Sequence, residues 1–168
     1  MAGQGEIATG ERLLALWDHL GLAAAHVATQ VPADIAGLAT AHPDRVAGIV
    51  LCTASRLDPA PFAPLADRLL LIAGDRGLTA EAARRAAARL PAAERTPLAD
   101  YGPQSWSDVA ADRTAAVAEA MIGFLTRHAG RVRASEPAVS GMLEGRHAGI
   151  TYRIAGAGGL PQHLTARP

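Results

Sequence analysis

The chain reads as an α/β protein built on a parallel sheet, and three features predict it. Residues 46–52 (VAGIVLC) and 69–73 (LLLIA) are apolar without alternation, as strands covered on both faces are. Helix-like segments separate the strand-like ones, the pattern of helical crossovers between parallel strands. Residues 26–52 fit strand, turn, helix and strand into the span of a βαβ unit, whose crossover is right-handed.

Taken in order, residues 1–10 are a loop carrying Gly3, Gly5 and Gly10. Residues 11–20 are an amphipathic helix with Leu13, Leu16, Trp17 and Leu20 on one stripe, Glu11 at its start and Gly21 past its end. Trp17 is expected in the core rather than in a pocket. A strand at 26–29 follows, then Pro32 at the first helical position, an apolar face of Ile35, Leu38 and Ala39, and Pro43 as the stop. The second strand is 46–52. Residues 53–67 are rich in proline (Pro59, Pro61, Pro64) and too short for a lid domain.

The third strand, 69–73, leads through Gly74-Asp75-Arg76-Gly77 to a helix capped by Thr79, with Glu81 in its first turn and Pro91 after Leu90. Residues 94–99 form the fourth strand, and Pro97 assigns it to a sheet edge because proline cannot donate to a ladder. Ser105-x-x-Asp108 resembles a capping box that opens one long helix to about His128, with Val117, Met121, Phe124 and Leu125 buried and Gly130 at its end. Residues 131–148, dominated by Gly, Ser, Pro and charges, read as a linker. Residues 149–155 alternate like a short strand, with Tyr152 and Ile154 as its bulky members. The expected organisation is a domain at 1–130, a linker at 131–148, and a strand and tail at 149–168.

Across residues 10–130 the order of elements, with HPDRVAGIVLC, LLLIAGD and AEAMIGFL, resembles the second half of an α/β-hydrolase domain. The resemblance implies a partial three-layer sandwich of about four parallel strands with helices on both faces. A complete domain of that family needs clearly more chain. In the family a Gly-x-Ser-x-Gly elbow follows the strand here placed at 26–29. The matching pentapeptide is Ala28-Thr29-Gln30-Val31-Pro32, so Gln30 occupies the nucleophile's place. The family's acid position matches Gly77 and its histidine position matches Pro103, which offers no base. Asp75 is a conceivable substitute acid but reads better as a turn former or ion-pair partner. The segment from Gly149 resembles the opening strand of another such domain. It lacks the apolar strand expected next, as a truncated or frame-shifted reading of a longer gene would.

Composition narrows the alternatives. The 168 residues carry sixteen basic and sixteen acidic side chains, interspersed, and every basic one is arginine. No basic stripe points to nucleic acid. The N-terminal residues lack a charged-then-apolar leader pattern, and no apolar run approaches membrane-spanning length, so a cytoplasmic setting is expected. The single cysteine, Cys52, falls inside a strand and is expected to be a core residue. Ser105 and Ser107 read as helix caps, and His42 and His128 lie near helix ends. His19, His26, His147 and His163 show no metal-ligand spacing. No metal site, P-loop or dinucleotide fingerprint is present in the pattern, so no metal or cofactor is expected.

These observations predict a catalytically silent α/β-hydrolase-like protein. One alternative is an ester or small-molecule acyl hydrolase completed by a second chain, by self-association with another copy, or by a longer gene product, docking on the sheet edge that 26–29 would leave open unless 151–155 covers it. The other is a small-molecule binder or interaction module using a crevice where Thr29, Gln30, Val31, Asp75 and Trp106 converge.

Overall fold

The computed structural model describes residues 9–103, 105–134, 142–147 and 150–155. Its elements are α1 (Thr9–His19), β1 (Leu22–Thr29), α2 (Ala33–Ala41), β2 (Val46–Cys52), β3 (Leu69–Gly74), α3 (Gly77–Arg89), β4 (Glu94–Leu98), α4 (Trp106–Asp112), α5 (Thr114–Arg127), β5 (Arg133–Ala134), β6 (Met142–His147) and β7 (Ile150–Ala155). Short 3-10 segments occupy Pro43–Arg45, Ala60–Arg68 and Ala129–Arg131.

Among the described residues the main sheet has five strands in the order β4-β3-β2-β1-β5. The neighbours from β1 to β4 run parallel, and β5 is antiparallel to β1. The protein is therefore α/β with a mostly parallel sheet, as the apolar runs predict. Every residue of β2 and β3 is buried, which explains why neither strand alternates in sequence. Their side chains split by parity. Ile49, Leu51, Leu69 and Leu71 join Trp17, Ile35, Leu38, Phe62, Leu65 and Leu90 in one cluster, against α1, α2, α3 and the 60–68 segment. Val50, Cys52, Leu70 and Ile72 join Leu98, Tyr101, Val109, Val117 and Phe124 in another, against α4 and α5. Period-two strand geometry feeds both from one apolar run.

Several expectations are corrected in detail. β1 begins at Leu22 rather than 26, because its first half also pairs, Leu22 with Ala134 and Ala24 with Arg133. On α1, Trp17 is buried as expected, but Leu16 and Leu20 are exposed, and Leu14 joins Leu13 against the core instead. Thr79 does not cap α3. Arg76 precedes that helix in extended conformation, while Thr79 is buried in its first turn. The long helix expected over 105–128 is two helices broken at Arg113, whose guanidinium lies 5.1 Å from the centre of the Tyr101 ring. Ser105 makes no side-chain capping bond, and its Oγ lies 2.5 Å from the Ser107 Oγ instead.

Pro97 sits on the edge strand β4, where its missing N–H costs no ladder bond. The residues read as a linker contain β5 and β6. β7 pairs antiparallel with β6 in a separate two-stranded sheet, and does not cover β1. The tail beyond residue 155 lies outside the described residues, as do residues 1–8.

Polar tethers hold β5 and its approach to the start of the sheet. Arg131 pairs with Asp67 at 2.8 Å, and Arg133 donates to the Asp44 carbonyl at 3.2 Å. Arg45 reaches the carbonyls of Ala23 and Leu22 and the Asp18 carboxylate, closing α1 onto β1.

Candidate functional site

The C-terminal ends of parallel strands form the natural crevice of an open α/β sheet. At the tip of β1 the chain turns through Gln30 and Val31 into α2. The turn is a local hydroxyl turn, in which the Val31 N–H donates to Thr29 Oγ1 at 3.0 Å. The Gln30 side chain reaches sideways, its Nε2 donating to Thr53 Oγ1 at 3.2 Å. Thr53 is buried and holds φ at 48°, a left-handed conformation that a β-branched residue adopts at a cost of about 1–3 kcal/mol. Its N–H donates to the Ile72 carbonyl at 2.7 Å, so the tips of β1, β2 and β3 are linked in series.

A second group forms where β3 and β4 end. The Asp75 carboxylate accepts the N–H groups of Asp100 at 3.0 Å and Tyr101 at 3.1 Å. Those bonds, assisted by the Arg76 guanidinium, hold its pKa below the usual carboxylate range. Arg76 is ion-paired with Asp100, itself at φ 54°. Asp75 therefore organises the distant turn between β4 and α4 rather than its own. Gly74 is dictated by proximity, since a Cβ there would fall on the Tyr101 carbonyl.

Gly77 begins α3 at φ 74°, which favours glycine over any carboxylate-bearing residue, and the Gly102 carbonyl would lie 3.6 Å from its Cβ. The start of α3 thus comes close to the backbone at Gly102, and the next residue, Pro103, is exposed. Trp106, expected among the crevice residues, is half-buried at the start of α4 and packs against the second core cluster. Gln30 is engaged with Thr53, and Asp75 with the loop after β4.

Beside the β1 turn lies an open cleft of about 570 Å³, lined by Pro32, Ala33, Ala36, Leu57, Pro61 and Phe62, with Arg56 and Asp58 as its charged groups. Its volume falls within the few-hundred to roughly 1,000 Å³ of small-molecule pockets. The Cys52 thiol, pushed up to about 11 by burial, is protonated at neutral pH and behaves as a core residue.

Two histidines read as isolated in the sequence meet on the second face. His26 lies edge-on to Phe124 at 6.3 Å between ring centres, and His128 lies against the same ring at 4.6 Å. Burial, and then the neighbouring His128, lower the His26 pKa against an opposing effect of the Gly48 backbone. His128 Nε2 stands 3.6 Å from Glu94 Oε1. Only the folding of β1 beneath α5 brings the two rings together, so no local spacing announces them. No group of three or more His, Cys, Asp or Glu side chains able to hold a metal occurs among the described residues. None of the described helices is long and apolar enough to cross a membrane.

The fold and these strand tips define an α/β protein with a mostly parallel sheet. No family model, curated protein or solved structure matches the chain.

Proposed function

We propose that this chain is a catalytically silent α/β-hydrolase-like protein, with the layering of that family over residues 10–130. The observation that carries the reading is the state of the β1 turn. An amide, Gln30, stands in the nucleophile's place and is hydrogen-bonded to Thr53. The Val31 N–H, which would serve an oxyanion, already donates to Thr29. Acyl transfer needs a nucleophile, a base and oxyanion donors acting together. The expected outcome is no turnover of short-chain p-nitrophenyl esters above background. Turnover abolished by Gln30→Ala or Asp75→Ala would refute silence.

A second reading, small-molecule binding without chemistry, is favoured by the cleft beside Pro32. Its apolar walls and two charged groups match the composition of ligand sites. A thermal-shift screen of the same preparation against small metabolites checks it. Stabilisation lost in Ala36→Trp, which fills the cleft, supports binding, and a flat response across the screen counts against it.

A further inference from the structure

Between α3 and the edge strand β4 lies a smaller cavity of about 150 Å³, lined by Ala73, Gly74, Ala80, Ala83 and Pro97 and carrying Asp75, Arg84 and Arg95. The space exists because α3 presents alanines there. Arg95 and Pro97 stand two residues apart on β4, hence on the face of that strand that meets the helix. Two arginines, one from the helix and one from the edge strand, therefore line one concavity.

Neither has a carboxylate partner among the described residues, whereas neighbouring arginines do: Arg85 pairs with Glu81 at 3.5 Å and Arg76 pairs with Asp100. Arg84 has only the Asp75 carbonyl, at 3.5 Å. The Asp75 carboxylate is engaged by the N–H groups of Asp100 and Tyr101, so it is not committed to either arginine. Two arginines against the one Asp75 carboxylate leave the lining net positive, and a net positive concave site raises the local concentration of anions. Planar guanidinium groups match tetrahedral oxyanions with paired, charge-assisted hydrogen bonds. At about 30 Å³ for each water, the cavity holds roughly five waters or one partly hydrated oxyanion.

We propose that Arg84 and Arg95 form a binding site for a phosphoryl group, either inorganic phosphate or the head of a small phosphomonoester. The site is separate from the β1 turn and does not depend on whether that turn is silent.

Isothermal titration of the full chain with inorganic phosphate and with methyl phosphate, at fixed ionic strength, tests it. Saturable binding is expected, weakened on the order of tenfold by Arg84→Ala or Arg95→Ala and lost in the double variant. Arg89→Ala, on the same helix but outside the cavity, should bind as the parent does. Arg95→Lys should bind more weakly than the parent and more tightly than Arg95→Ala, because charge survives without the fork. Each variant's unfolding transition in chloride shows that it is folded, and Arg95→Lys supplies the comparison should an alanine variant fail to fold. Tighter binding of methyl phosphate than of phosphate assigns the site to monoesters, and the reverse assigns it to the free ion. Absence of saturable binding by the parent, or equal affinity in the double variant, overturns the proposal.

Discussion

The two faces of the sheet are built from the same strands and differ in what they bury. On the first, β2 and β3 meet α1, α2, α3 and the 60–68 segment through aliphatic and aromatic side chains such as Ile35, Leu51, Leu65 and Leu71. On the second, the same strands meet α4 and α5, but Phe124 is flanked by His26 and His128. The first cluster contains no titratable side chain, while the second has imidazoles packed against its Phe124. A parallel sheet can thus divide its labour, holding the fold on one side and admitting pH dependence on the other.

The largest effect expected is on packing. Leu65 is fully buried on the first face and Phe124 on the second. Truncation should cost about 2–5 kcal/mol for Leu65→Ala and about 3–5 kcal/mol for Phe124→Ala, measured by urea unfolding. The comparison breaks if the pH dependence of stability is the same in both variants. Phe124→Ala should reduce it, by opening the His26 environment to water, and Leu65→Ala should leave it intact.

Next in size is the acid response itself. Because the folded-state pKa of His26 lies below its ordinary value, the unfolded chain takes up a proton first as pH falls. Stability should be full above the ordinary imidazole pKa and decline below it, levelling once the folded state is also protonated. His26→Gln should flatten that decline in thermal melts. A slope equal to that of the parent would remove His26 from the second face's account.

The smallest effect belongs to the strand tips. The depressed pKa of Asp75 gives stability that is present above the usual carboxylate range and lost as pH falls through the folded-state value. Asp75→Asn should therefore melt slightly lower than the parent at neutral pH, with the gap closing at the acid end. A gap that persists in acid would mean that geometry, rather than charge, matters at this turn.

Much of this architecture is legible in the sequence. The unbroken apolar runs of β2 and β3 announce buried strands, and Pro97 announces an edge. Short-range chemistry was readable where one residue decides the outcome. Where distant partners compete, residue type alone does not decide the outcome: Thr79 is drawn into the core instead of capping, and Arg113 breaks a helix while packed over Tyr101. The strands within 131–148 carry little signal because β5 is two residues long and β6, MLEGRH, has few β-branched or aromatic residues and no clear alternation. At the strand tips, residue type does not reveal the bonds between one strand and the next. The bond from Gln30 to Thr53 spans two strands, and the left-handed backbone of Thr53 leaves no trace in residue type.

The hydroxyl of Thr29 has a consequence for anyone wishing to engineer this turn. Writing a serine at position 30 would supply an oxygen but leave its neighbouring amide engaged, since Val31 already donates to Thr29. Building an ester-cleaving centre at this turn would first mean releasing that amide, and the side chain to remove is Thr29, one residue upstream.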